Sequence, residues 1–186
     1  MKKRRITFNS PVVLSFVIIS FGVMVANYLT AGLSNQMLFM TYHSSLASPL
    51  TYVRFFTHVL GHAGWSHYIS NMTYILLLGP MLEEKYGSRA IIEVILITGL
   101  MAGLVNWLLF PGVGLCGASS VVFAFILIFT SFKEGEIPLT VILVAIIFIG
   151  QQVYDGLFVA DNISNMAHIV GGIVGAVAGY TLNKKA

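Results

Sequence analysis

A serine and a histidine stand in two apolar segments of the chain, and together they could support nucleophilic catalysis. Ser119 lies in the sequence Gly117-Ala118-Ser119-Ser120, immediately before an apolar run, and His168 opens a second apolar run that is rich in glycine. A serine hydroxyl becomes a good nucleophile when a base removes its proton, and histidine is the usual base near neutral pH. Polar and ionisable groups are costly at membrane depth, so they are candidates for function there.

Two more polar side chains have a spacing that suits this chemistry. His67 and Asn71 are four residues apart, so on a helix they share one face about 6 Å from each other. Both can donate side-chain hydrogen bonds to a developing oxyanion, as can the backbone N–H of a serine in the first helical turn. His62 lies five residues before His67, about 140° round a helix. We therefore place His62 in a loop, before a helix that begins near Ser66.

The composition indicates an integral membrane protein of the all-α class. The 186 residues are 57% hydrophobic and only 9% charged, with a mean hydropathy of +0.87. Soluble domains contain about 25% charged residues. The pI of about 9.1 does not indicate nucleic-acid binding, because the basic residues flank apolar runs instead of forming a patch. The single cysteine, Cys116, excludes an intrachain disulfide.

Six apolar segments are predicted to span a bilayer whose hydrocarbon core is about 30 Å thick. The whole chain, 1–186, then forms one transmembrane domain with a short basic N-terminus, 1–10. The first segment is long for a signal peptide, so we expect it to be retained. The long connection 32–65 is expected to contain short helices. The six predicted spans are 11–31, 66–82, 90–110, 117–132, 137–153 and 166–182.

The distribution of charge predicts the orientation. Nine of the ten Lys and Arg residues fall at the two ends of the chain and in the second and fourth connections, and only Arg54 lies opposite. The positive-inside rule then places both termini in the cytoplasm. With six spans, Ser119, His168 and His67 all lie at the outer ends of their segments, so the site is expected to open to the outer face.

The fourth and sixth segments are expected to pack closely. Gly171, Gly175 and Gly179 follow His168 at intervals of four, and small residues at this spacing allow another helix to approach. Packing against the fourth span would bring His168 to Ser119. The apolar part of the fourth span, from Ser119 to position 132, is about 21 Å long as a helix. The serine is therefore predicted to lie below the membrane surface, at the floor of a water-filled cavity.

Each residue also has a structural interpretation or an alternative role. Serines in membrane helices often bond to a preceding carbonyl, and His67 and Asn71 could join helices. Ser120 or Cys116 could be the nucleophile instead of Ser119. His58 and His62 have the i, i+4 spacing of a metal pair, but Val59 stands where a zinc peptidase has its glutamate.

Taken in order, the motifs resemble those of the rhomboid family of intramembrane serine proteases. They cover the chain from about Tyr52 onward and are Arg54-Phe55-Phe56-Thr57-His58, His62-x4-His67-x3-Asn71, Glu83 with Gly87, Gly117-x-Ser119 and Ala167-His168-x-x-Gly171-x-x-x-Gly175. The resemblance implies a six-helix rhomboid-like bundle with a long first outer loop. It also implies a serine–histidine dyad that has no third, acidic member.

The resemblance assigns a role to each candidate residue. Ser119 is similar to the nucleophile and His168 to the general base, while His67, Asn71 and the Ser119 N–H are similar to the oxyanion hole. His62 resembles a loop histidine with a structural or water-retaining role. The fifth span and the 151–165 connection resemble the lateral gate and cap that admit a substrate.

Three positions depart from the family pattern. Ser120 replaces the glycine that commonly follows the nucleophile, after Gly117-x-Ser119. Phe123 replaces a tyrosine that stacks on the catalytic histidine, so the stacking is expected to remain without the hydroxyl. Val53 replaces the tryptophan that precedes the arginine of the first loop.

The resemblance therefore implies a polytopic endopeptidase that cleaves transmembrane segments of membrane proteins through an acyl-enzyme. Its expected partners are transmembrane substrates and the lipid bilayer, with no nucleic acid, no metal and no other cofactor; the sequence does not give an oligomeric state. The alternative is a catalytically weak or inactive rhomboid-like protein that binds membrane clients.

Overall fold

The computed structural model describes residues 7–129, 138–158 and 165–183. These residues form an all-α bundle, as predicted, and within them the only β pairing is an isolated bridge between Thr41 and Leu115. A π-helical turn at Asn35–Phe39 and one short helix lie in the long first connection, as expected. The helices are α1 (Pro11–Leu29), α2 (Pro49–Thr57), α3 (Trp65–Tyr86), α4 (Ser88–Leu109), α5 (Ser119–Phe129), α6 (Leu139–Phe158) and α7 (Asn165–Asn183).

Three of the predicted spans are long and apolar enough to cross a membrane in the part of the chain that the structure describes. These are α1, α4 and α7. α5 and the segment Leu139–Tyr154 of α6 are shorter apolar helices, and α3 carries several polar residues. The protein is therefore an integral membrane protein, and the count of six spans stays a prediction.

α5 occupies the middle of the bundle. Its side chains join those of α1, α3 and α4 in the main apolar core, where Val121 and Phe125 are fully buried. Its 11 described residues correspond to about 16 Å, while the 22 residues of α4 correspond to about 33 Å. The last three residues of the predicted fourth span, 130–132, lie outside the described residues.

α7 packs directly on α5, as the glycine spacing predicted. A Cβ atom on Gly171 would lie 2.8 Å from the Cα of Ser120, and one on Gly175 would lie 2.6 Å from the Cα of Ala124. The second contact lies four residues after the first on both helices, so α5 and α7 run parallel. The helix that carries His168 therefore begins at the same end of the bundle as the helix that Ser119 begins.

At the other end of the bundle from Ser119, the ends of α3 and α7 and the start of α1 meet. Lys85 and Tyr86, at the end of α3, both donate hydrogen bonds to the Oδ1 of Asn183 at the end of α7, over 3.0 and 2.8 Å. Two backbone N–H groups of α1, those of Val12 and Val13, donate to the Glu83 carboxylate over 3.0 Å each.

The predicted orientation in the membrane is not tested by the structure. Most of the basic residues used to predict it, 2–5, 133 and 184–185, lie outside the described residues, and the side of the membrane stays a prediction.

Two helices continue past the predicted ends of their spans. The second span was predicted to end at about 82, and α3 continues to Tyr86, with Glu83 buried and bonded to the first N–H groups of α1. The fifth was predicted to end at 153, with a loop from 151, but α6 runs to Phe158. The rest of that predicted loop, 159–164, lies outside the described residues.

Candidate active site

Ser119 is the first residue of α5, and the backbone before it is fixed at two points. Thr41 and Leu115 exchange backbone hydrogen bonds of 2.9 and 2.8 Å, and the N–H of Gly117 donates to the His58 carbonyl over 2.9 Å. Ala118 starts the helical pattern, since its carbonyl accepts from Val122 N–H. The half-buried Ser119 thus lies where the helix dipole and the unpaired N–H groups of the first turn favour negative charge.

Because Gly117 has no side chain, the start of α3 can lie against this segment. Its φ is +134°, and a Cβ atom there would lie 2.8 Å from Nε2 of His67. A side chain at 117 would thus be strained by the backbone and blocked by the imidazole. His67 is therefore placed beside the segment that leads into Ser119, and Asn71 lies one turn further along α3.

Asn71 is a buried amide with an unused donor. Its side chain is 6% exposed, and its Nδ2 has no hydrogen-bond partner among the described residues. Such an orphaned buried group usually costs stability and needs a reason. An amide N–H held at the same end of the bundle as Ser119 could stabilise an oxyanion.

His168 lies at the start of α7, against α5 and α6. Its ring stacks on Phe123, with centroids 4.6 Å apart and planes inclined by 10°. Phe123 is one turn after Ser119 on α5, so the stacking expected of Phe123 is confirmed and brings the imidazole to the first two turns of that helix. The catalytic roles of Ser119 and His168 stay predictions.

The structure separates the two adjacent serines. Ser120 is 1% exposed, and its Oγ is enclosed in the core without a hydrogen-bond partner among the described residues. Ser119 is half-buried. A substrate carbonyl could therefore reach Ser119, while access to Ser120 would require opening the α5–α7 contact.

Burial makes Cys116 less suited than Ser119 to be the nucleophile. Burial raises the pKa of its thiol to about 11. A thiol is a nucleophile as the thiolate, and burial disfavours that form of Cys116.

His62 lies in the loop between α2 and α3, as predicted. Its Nδ1 donates to the Leu60 carbonyl over 3.2 Å, and its ring meets that of His67 edge-on at 5.2 Å. Burial, and then the nearby His67, lower the pKa of His62 to about 4. His62 is therefore neutral at physiological pH and supports His67 by contact.

His58 and His62 do not form the metal pair that their i, i+4 spacing suggested, because α2 ends at Thr57 and the two residues do not share a helix face. His58 is fully buried, and its Nε2 donates to the Gly99 carbonyl on α4 over 2.9 Å. Burial lowers the pKa of His58 to about 4. His58 thus joins α2 to α4, and its carbonyl holds Gly117.

Sequence reasoning missed Gln152. This α6 residue is 8% exposed, and its Oε1 lies 2.6 Å from Nδ1 of His168. Its neighbour Gln151 is exposed. Two consecutive glutamines near the end of an apolar run indicated the end of a span. The two differ in the helix face on which they lie, and the sequence pattern of α6 does not show which face is buried.

The bundle and its site define a polytopic helical membrane protein with serine, histidine and amide groups at one end. The rhomboid domain matches residues 49–185. The chain belongs to the rhomboid family.

Several named relatives share this similarity. The chain is 33% identical to mouse (Mus musculus) rhomboid-related protein 2 over 74% of its own length and 53% of the relative's. It is 30% identical to the rhomboid protease GlpG of Salmonella paratyphi A, over 71% and 50% of the two chains. It is 26% identical to the chloroplastic rhomboid-like protein 11 of Arabidopsis thaliana, over 90% and 64%. The chain thus spans about half to two thirds of the length of these relatives.

Proposed function

We propose that this protein is an intramembrane serine endopeptidase that cleaves transmembrane segments of other membrane proteins. One observation carries the proposal. Gly171 of α7 packs on the backbone of Ser120, and His168 stacks on Phe123. This arrangement holds an imidazole beside the helix turn that begins with Ser119, as a serine–histidine dyad requires.

In the proposed reaction, Ser119 Oγ attacks the scissile carbonyl carbon while His168 takes the hydroxyl proton. The oxyanion forms beside His67, Asn71 and the Ser119 N–H, which donate hydrogen bonds to it. The C–N bond then breaks, and His168 gives its proton to the leaving amine. His168 then takes a proton from water, which attacks the carbonyl carbon of the acyl ester. The ester C–O bond breaks, and His168 returns the proton to Ser119 Oγ.

The likeness to the rhomboid protease GlpG supports this activity. We propose that both termini are cytoplasmic, that the site opens to the outer face, and that substrate enters from the lipid beside α6. A transmembrane segment would have to unwind at the scissile bond, because an intact helix keeps its carbonyls in hydrogen bonds. No metal or other cofactor takes part in the proposed reaction.

The experiment compares the purified protein with Ser119→Ala and His168→Ala in vesicles that contain a single-span substrate. We expect each substitution to reduce cleavage by about 10³-fold or more. A fluorophosphonate should label Ser119 and leave Ser120 unmodified, and a chelator should have no effect. Equal cleavage by all three proteins would refute the dyad. Substrate binding by a wild type that does not cleave would support the alternative, a rhomboid-like protein that binds membrane clients.

A further inference from the structure

The hydrogen bond between α6 and α7 gives the imidazole of His168 a defined partner. Oε1 of Gln152 lies 2.6 Å from Nδ1 of His168. An amide oxygen only accepts hydrogen bonds, so Nδ1 must carry the proton. In a neutral imidazole the lone pair then lies on Nε2, which is the form needed to accept a proton from a serine hydroxyl.

The surroundings of this bond are apolar. Gln152 and His168 line a cavity of about 100 Å³ whose other walls are hydrocarbon and glycine, including Phe123, Phe148 and Gly172. Burying an amide in such surroundings costs free energy unless it is hydrogen-bonded. The low local polarity also strengthens the bond that forms.

From this geometry we infer that Gln152 is a positioning residue of the proposed protease, which fixes the Nδ1–H form and the orientation of His168. The inference rests on the proposed function for its kinetic consequence. The amide takes the place that an acidic residue has in a catalytic triad, but it carries no charge. It can orient the imidazole and stabilise the Nδ1–H bond when His168 becomes doubly protonated.

The first experiment needs no substrate. Histidine ¹⁵N chemical shifts are recorded on detergent-solubilised protein, and the signals of His168 are identified by their loss in His168→Gln. We expect the Nδ1-protonated form in the wild type and in a Gln151→Met control. Gln152→Met retains length and volume but has no acceptor, and we expect a mixture of the two neutral forms. An unchanged His168 spectrum in Gln152→Met would overturn the inference.

The second experiment measures cleavage. Hydrogen bonds to charged groups contribute about 1.5–3 kcal/mol, so Gln152→Met should lower kcat by about 10- to 100-fold, with KM changed less than about twofold. Gln152→Glu keeps an acceptor and should recover most of the lost kcat, and Gln151→Met should match the wild type.

If Gln152 only joined two helices, Gln152→Met would lower the thermal unfolding midpoint but would change neither kcat nor the ¹⁵N spectrum, and this result would overturn the inference. A wild type that cleaves no substrate would refute the proposed function alone. The ¹⁵N measurement would still decide the role of Gln152.

Discussion

The imidazole of His168 lies parallel to the ring of Phe123, with a centroid distance of 4.6 Å and an interplanar angle of 10°. Phe148 of α6 meets the same phenylalanine edge-on at 5.2 Å. Phe123 is therefore a shared contact of three helices, and its ring face sets the plane in which the imidazole can lie.

This contact predicts the effect of truncating Phe123. Aromatic pairs contribute about 0.5–1.5 kcal/mol beyond the area they bury, so Phe123→Ala should lower kcat by about 2- to 10-fold. Phe123→Tyr keeps the ring and should preserve or raise activity. Phe129→Ala removes an exposed ring from the same helix and serves as the control in the vesicle assay. A complete loss of activity in Phe123→Tyr would show that the stacking interpretation is wrong.

The packing of α7 on α5 predicts opposite outcomes at two adjacent glycines. A Cβ atom on Gly171 would overlap the backbone of Ser120, while one on Gly172 would meet nothing within 4 Å. Gly171→Ala should therefore push the helices apart, lower the unfolding midpoint and abolish cleavage. Gly172→Ala should match the wild type or stabilise the helix slightly, since alanine is the better helix former. Equal unfolding midpoints for the two variants would contradict the close contact.

Asn71 allows activity and stability to be separated. Because its Nδ2 has no partner among the described residues, Asn71→Ala should leave the unfolding midpoint nearly unchanged. Loss of one oxyanion donor typically costs about 10²- to 10³-fold in kcat, and we expect a decrease of that order. Asn106 provides the contrast, because its Nδ2 donates to the Val113 carbonyl over 2.9 Å and Asn106→Ala should lower the midpoint. An Asn71→Ala variant with unchanged kcat would remove this residue from the proposed oxyanion hole.

The buried loop histidines predict a dependence of stability on pH. Burial lowers the pKa of both His58 and His62 from 6.5 to about 4. Between these values the unfolded chain binds protons that the folded chain does not, so stability falls as the pH falls from about 6.5 toward 4. Each histidine contributes at most about 1.4 kcal/mol per pH unit.

Thermal unfolding of detergent-solubilised protein from pH 7.5 to 5 should show this decrease. His62→Gln removes one of these buried histidines, so its unfolding midpoint should fall less steeply with pH than that of the wild type. Parallel curves for the two proteins would contradict a buried, neutral His62.

The sequence predicted those parts of the site that depend on helix spacing. Ser119 begins a helix, and Gly171 and Gly175 contact α5, because helical periodicity alone places these residues. Gln152 could not be predicted, because α6 is apolar on most of its surface and its periodicity does not show which glutamine faces α7. Its contact with His168 depends on how two helices are rotated about their axes, which is a property of the packed bundle.

Long-range capping was also beyond the sequence pattern. Glu83 accepts hydrogen bonds from residues about seventy positions earlier in the chain, and it accepts another from Ser88 Oγ over 2.6 Å. Its neighbour Glu84 is exposed. Both glutamates stand after the same apolar run, so the sequence alone indicated a solvated turn in which Glu83 could join spans, and it did not identify α1 as the partner.

Helix α1 lies before the residues that match the rhomboid domain, yet it packs into the same core. The similarity to the rhomboid domain begins at residue 49, but Val13 of α1 is fully buried in the same core as Phe125 of α5. A Cβ atom on Gly79, where α1 crosses α3, would lie 2.7 Å from Val13 and 3.3 Å from Phe125. A chain that began at residue 49 would leave Glu83 without its backbone donors and would expose the core beside the helix that Ser119 begins. We therefore expect a chain that begins at residue 49 to be less stable than the full chain.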